Sequence, residues 1–232
     1  MLETARALLA GPSLRNDVIL LFTDGEEPAP RFGSSAFVAE HPWASDIGFV
    51  INLEAVGAGG PSILIATNGP GKWVIDQYAE AVPYPTAFSF LTTTAELIGG
   101  SNSDFASFRD RGTPGVELSY LHGSPIYHTS ADTPERVSLR SLQQRGVNTL
   151  AIARHVGNLD LRLSRYDSKS VFFTIARLLV VRYPAALAVP IALMAGAVLA
   201  IVGWRGRAWL MALRSGGATL ITTIVAAVAA AG

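Results

Sequence analysis

The stretch PAALAVPIALMAGAVLAIVGW, Pro184 to Trp204, runs for roughly twenty residues without a charge, the length an α-helix needs to cross the hydrocarbon core of a bilayer. Tyr183, Trp204 and Trp209 stand near its ends, where aromatic side chains favour the membrane interface, and Arg205 and Arg207 follow at once. A buried core helix is the competing explanation, but such helices are usually shorter. A second apolar run, GGATLITTIVAAVAAAG from Gly216 to Gly232, is about long enough for another crossing, although no charge or aromatic residue follows it. The expectation is an integral, multi-pass membrane protein with a lipid bilayer as one partner. Basic residues flank both sides of the first span, so charge alone sets no orientation.

Charge divides at nearly the same place. All 18 acidic residues lie at or before Asp167, against 12 of the 18 basic ones. Lys169, Arg177, Arg182, Arg205, Arg207 and Arg214 make up the rest, so the front is net acidic and the tail carries only cations. An acidic globular part argues against nucleic acid as a partner. With no cysteine, disulfides and thiolate metal sites are excluded, and any metal must be held by His, Asp or Glu. The expected organisation is a domain over 1–160, a juxtamembrane segment over 161–183, a membrane helix over 184–204 and a second, truncated one over 216–232.

Within the front part, helix-like and strand-like segments alternate. Residues 1–10, 32–41, 71–82, 103–112 and 138–159 have helical spacing, with Ser103 and Ser138 as N-caps. DVILLFT (17–23), IGFVINLE (47–54), SILIAT (62–67) and GVELSYL (115–121) read as buried strands. This order implies an α/β fold, a mostly parallel sheet with helices on both faces.

Ligands in open α/β sheets bind beyond the carboxyl ends of the strands. Three of these strands lead to groups able to bind a metal. The first runs into Glu26 and Glu27, the second into Glu54 within NLEAVGAGG, and the last into the loop that carries His128 in YHTSADT. The glycines after Glu54 let backbone come close to a ligand. Carboxylates and an imidazole on one rim suit a divalent cation such as zinc. One glutamate would neutralise its charge on the metal while its neighbour acts as a general base. Taken singly, each signal also has a plain reading: a solvated Glu-Glu loop, a turn-capping Glu54, a surface His128. His41, His122 and His155 have no such setting and read as structural.

DVILLFTDGEE, INLEAVGAGG and SDFASFRDRGTPGVELSYLHGSPIYHTSADT, in that order, resemble the zinc-dependent co-catalytic aminopeptidases, peptidase family M28. The likeness is strongest to its membrane-anchored branch of vacuolar membrane protease and endoplasmic-reticulum metallopeptidase types, and covers about residues 1 to 160. It implies a phosphorylase/hydrolase-like α/β sandwich holding two zinc ions and acting on peptide or protein substrates. By the resemblance Glu26 is the general base, Glu27 and His128 are ligands of one zinc, and Glu54 is a ligand of the other. Asp104 and Tyr127 fall where family members line the site, and Asp132 fixes the loop of His128. The catalytic domain would lie on the luminal or extracytoplasmic side.

The resemblance also implies a further histidine and a bridging aspartate upstream of the segment matching LETARALLA, which the given sequence does not include. PAPRFGS replaces a small, glycine-containing stretch after the glutamates. The expectation is therefore a membrane-anchored metallopeptidase, inactive or incomplete as this chain. The alternative is a non-catalytic membrane protein that uses the peptidase fold for interaction.

Overall fold

The computed structural model describes residues 1–27, 31–97, 102–162 and 167–205. Helix α1 (Leu2–Leu9) is followed by α2 (Phe32–Glu40), strands β1 (Val50–Ala55) and β2 (Ile63–Asn68), then α3 (Gly71–Ala81), α4 (Ser89–Leu97) and α5 (Phe105–Asp110). Strand β3 (Gly115–Tyr120), helix α6 (Leu139–Val156), hairpin strands β4 (Ser170–Ile175) and β5 (Leu179–Pro184), and helix α7 (Ala188–Arg205) complete the order. Ser138 caps α6 as its sequence suggests, its hydroxyl accepting from the Ser141 amide at 3.3 Å.

The main sheet has the order β1–β3–β2, parallel between β1 and β3 and antiparallel between β2 and β3. It is mixed rather than mostly parallel. The reason lies in the connection after β1: residues 56–62 are too few for a crossover helix, which parallel strands require, so β2 returns in the opposite direction.

The expected strand over 17–23 is absent. No described residue forms a ladder with it, and without hydrogen-bond partners a β-prone run stays an extended coil. Its apolar side chains remain open, Phe22 being 63% exposed. Hydrogen bonds to other described residues tie the run at its two ends. Asn16 donates to the carbonyls of Val156 and Leu159, and the Thr23 hydroxyl donates to Asp104.

Alternation along β1 and β3 gives the sheet two unlike faces. Ile51 and Leu53 stand beside Val116 and Leu118 on one face. There they join Leu64 of β2, Val74, Ile75 and Tyr78 of α3, and Ile152 and Val156 of α6 in the hydrophobic core. Asn52, Glu54, Glu117 and Ser119 occupy the other face. Glu117 and Ser119 are fully buried there. Read as short apolar runs covered on both sides, the strands in fact carry a polar face.

The segment over 161–183 contains a hairpin that sequence reasoning did not anticipate. Phe172 and Val180 enter the core, while Arg182 reaches Asp76 of α3 at 2.6 Å. A short 3-10 turn over Ala185–Leu187 leads into α7. The window Ala185–Val202 has a mean hydropathy of 2.5, long and apolar enough to cross a membrane, and only 6% of it is buried in the fold. The second apolar run, with Trp209, Arg207 and Arg214, lies outside the described residues.

Candidate metal centre

Glu26 and Glu27 follow a turn that Gly25 makes possible, with φ at +68°, in the left-handed region that glycine occupies without strain. The turn closes through bonds from the Phe32 and Gly33 amides to the Gly25 and Asp24 carbonyls. It sets Glu27 against the loop after β3. His128 Nε2 lies 2.8 Å from Glu27 Oε1, and the Tyr127 hydroxyl donates to the same oxygen at 3.2 Å. The Tyr127 and His128 rings stack with centroids 3.8 Å apart. His128 holds φ at +58°, a backbone state that costs a non-glycine residue energy and that clusters at functional sites.

A second group of acids sits on the polar face of the sheet. Asn52 Nδ2 donates to Glu54 Oε1 and to Glu117 Oε1, each at 3.1 Å, and the Ser103 hydroxyl also donates to Glu117 Oε1. Ser103 in turn accepts from the Phe105 amide, but the N-cap of α5 is Asp104 rather than Ser103 as the sequence suggests, because the helix begins only at Phe105. Asp104, next in the chain, accepts from Thr23 through one oxygen, while its buried Oδ1 has no hydrogen-bond partner among the described residues.

The electrostatics join the two groups. Partial burial, then the negative charges of Glu27, Asp104 and Glu117, push the Glu26 carboxyl above its ordinary range, with His128 opposing. Burial pushes Glu54 up to about 7; the Asn52 bond opposes this, while the fields of Glu117, Glu26 and Asp104 add to it. Burial first, then Glu27, Glu26 and Glu54, raise Tyr127. Among the described residues no Lys or Arg ion-pairs with Glu26, Glu54 or Asp104. Arg145 feels the charge of Glu54 without forming an ion pair with it. Carboxylates gathered with no ion-paired Lys or Arg among the described residues, one with an orphaned buried oxygen, have chemistry that suits a divalent metal.

The fit is partial. Among the described residues no three His, Asp or Glu side chains converge closely enough to hold one ion. Glu27 and His128 are brought together and Glu26 stands beside them, whereas Glu54 is grouped with Asn52 and Glu117. A catalytic zinc takes about three protein ligands plus water, and the Glu27–His128 pair supplies two.

Several other expectations meet the structure here. The glycines after Glu54 serve protein packing: a Cβ on Gly57 would strike the carbonyl of His122, so the loops after β1 and β3 close on each other. His122 bridges Gly59 through its backbone, His41 accepts from the Trp43 amide, and His155 bonds Gln77. The Asp132 amide donates to the Thr129 carbonyl within the His128 loop. Sequence reasoning missed Asn52, Thr23, the bond from Ser103 to Glu117 and above all Glu117 itself. The signal for Glu117 was a lone charge in the middle of an otherwise apolar strand.

A model of peptidase family M28 matches residues 1–153. The chain is 34% identical over 215 residues to endoplasmic reticulum metallopeptidase 1 of Rattus norvegicus, covering 89% of this chain and 23% of that protein. Identity to the Homo sapiens protein of the same name is 35% over 192 residues, covering 79% and 21%. Vacuolar membrane protease of Candida dubliniensis is 34% identical over 159 residues, covering 68% and 17%. The chain thus spans under a quarter of the length of these relatives. No solved structure matches it.

Proposed function

The chain belongs to peptidase family M28, and from that premise we propose that it is part of a membrane-anchored, zinc-dependent peptidase of aminopeptidase type. The observation that carries the reading is the 2.8 Å contact between Glu27 Oε1 and His128 Nε2, with Glu26 adjacent. A carboxylate and an imidazole from two separate loops meet at an exposed rim, bonded to each other, and the same two donors suit a divalent ion between them.

In this reading Glu27 and His128 would hold one zinc, and Glu54 would be a ligand of a second. The metal would supply Lewis acidity toward water and a peptide carbonyl. Glu26 takes the proton of the attacking water at its carboxylate and returns it to the leaving amine. Its raised pKa suits that role, because a base works best when its pKa approaches the working pH. Tyr127 orients Glu27 by its hydrogen bond. Glu117, Asn52 and Ser103 hold the polar face rigid behind Glu54. The donors of the described residues fall short of a complete set, so the chain alone is expected to bind less than one tightly held zinc and to hydrolyse aminoacyl-nitroanilides poorly.

Zinc titration of the purified chain and three variants tests the assignment. Glu27→Gln and His128→Ala should each weaken zinc binding, while Glu26→Gln should leave it intact. Binding lost in Glu26→Gln and unaffected in His128→Ala would reverse the assigned roles. Stoichiometric zinc with hydrolysis abolished by Glu26→Gln would show instead that the chain is a self-sufficient enzyme.

A further inference from the structure

The outward side of the β4–β5 hairpin is apolar from end to end. Paired residues in an antiparallel ladder point to the same face, so Val171 with Tyr183, Phe173 with Val181, and Ile175 with Leu179 form one surface. The opposite side is committed to the domain through Phe172, Val180 and the Arg182–Asp76 ion pair. Ile175 is 50% and Leu179 60% exposed. A hairpin packed on one side ordinarily turns polar residues outward. This one keeps apolar residues outward, with Phe173, Ile175 and Leu179 exposed and Val171, Val181 and Tyr183 half-covered, and an exposed apolar surface marks a contact with another apolar body.

Three features identify that body. First, β5 ends at Pro184 and the apolar window begins at Ala185, so no linker separates the hairpin from the candidate span. Second, Tyr183 stands at the junction with its amphipathic ring on the apolar face, a placement favoured where hydrocarbon meets headgroups. Third, the chain has no acidic residue after Asp167, while Lys169 and Arg177 lie near the two ends of the hairpin. Cations placed at both ends of the hairpin are complementary to anionic lipid.

We propose that this face of the hairpin lies in the interfacial layer of the bilayer that α7 crosses, giving the domain a second, non-spanning membrane contact that fixes its tilt. The backbone tolerates this position. β4 and β5 satisfy each other, β4 also bridges Phe88, and the remaining edge groups can reach the water that the interface retains. The inference rests on α7 being in the membrane and is independent of the peptidase reading.

The chain lacks cysteine, so single cysteines can be labelled with a nitroxide in the full protein, reconstituted into nanodiscs of mixed phosphatidylcholine and phosphatidylserine. Ile175→Cys and Leu179→Cys report on the hairpin, Leu193→Cys on α7, and Arg140→Cys on an aqueous surface. Leu178→Cys, at the exposed turn, replaces either strand variant should it fail to fold. The proposal expects the hairpin labels to relax with oxygen and to be shielded from a water-soluble nickel complex, like the Leu193→Cys label. Hairpin labels open to nickel, like the Arg140→Cys label, would overturn it. Labels shielded from both reagents would overturn it too, showing a protein partner or second copy on this face. A Leu193→Cys label in water would remove its premise. No arm involves hydrolysis, so none of these outcomes touches the peptidase assignment.

Discussion

Glu54 and Glu117 share a hydrogen-bond donor: Asn52 Nδ2 stands 3.1 Å from an oxygen of each. The three residues come from β1 and β3 and meet because parallel pairing sets Asn52 opposite Glu117. Asn52→Leu keeps the size of the side chain but removes that donor from two carboxylates, one fully buried. Loss of a partner from a buried polar group costs about 1–3 kcal/mol, and urea unfolding of the detergent-solubilised chain should show a loss of that order. Asn52→Asp adds a third negative charge and should cost more. Equal stability of wild type and Asn52→Leu would mean that the network contributes nothing.

The raised pKa of Glu54 gives a second prediction, with a definite sign. In the unfolded chain this carboxyl titrates near its ordinary value of 4.5, and in the fold at about 7. Between those values the folded state binds more protons than the unfolded one, so stability falls as pH rises. The contribution is complete below pH 4.5 and gone above pH 7. The metal-free chain should unfold at lower denaturant at pH 7.5 than at pH 5. Glu54→Gln, which cannot ionise, should flatten that slope. A steeper slope in the variant would contradict the assignment of this titration to Glu54.

How much of this was legible in the sequence depends on the kind of signal. Glu26, Glu27 and His128 were picked out because each follows a strand-like run, and the structure brings Glu27 and His128 to 2.8 Å of each other. The strand at 17–23 misled because hydrophobicity reports only a preference for extended chain, while a strand is made by its neighbours. Asn52 and Glu117 were hidden for a different reason: the apolar residues between them made both strands read as continuous core, although their alternation encoded a polar face. The hairpin over 170–184 was lost in the shadow of the long apolar helix that follows it.

The Glu27–His128 pair makes a prediction about additivity. If both side chains hold one zinc, the ion loses most of its site once either is gone, and the second substitution has little left to remove. Each single variant should weaken zinc by at least about 10–100-fold, the range found even for partners one shell further out. The double variant should fall close to the weaker single one rather than at the product of the two effects. Competition against a chromogenic zinc chelator reads all three. Multiplicative losses would indicate two independent sites.

The attachment of the hairpin to α3 runs through Asp76, whose carboxylate meets Lys72 Nζ and Arg182 Nε at 2.6 Å each. Asp76 is nearly buried, whereas Arg182 is about one-third exposed, so the two ends of the pair are not equivalent. Arg182→Met keeps the aliphatic stem against the domain and removes only the charge; Asp76 retains Lys72. A loss of about 0.5–1 kcal/mol is expected, at the upper end for a partly exposed ion pair. Asp76→Ala takes the shared carboxylate from both cations, leaving Arg182 its 3.6 Å contact with Glu80, and its effect should be larger. Because Phe172 and Val180 still hold the hairpin by burial, neither change should unfold the domain. Hydrogen exchange is the right measurement, since it separates local opening from global unfolding. Amides over 170–184 should exchange faster in Arg182→Met, and faster still in Asp76→Ala, while those of α6 keep their protection. Uniform acceleration across both regions would show that the hairpin is no separable flap, and that its ion pair stabilises the whole core.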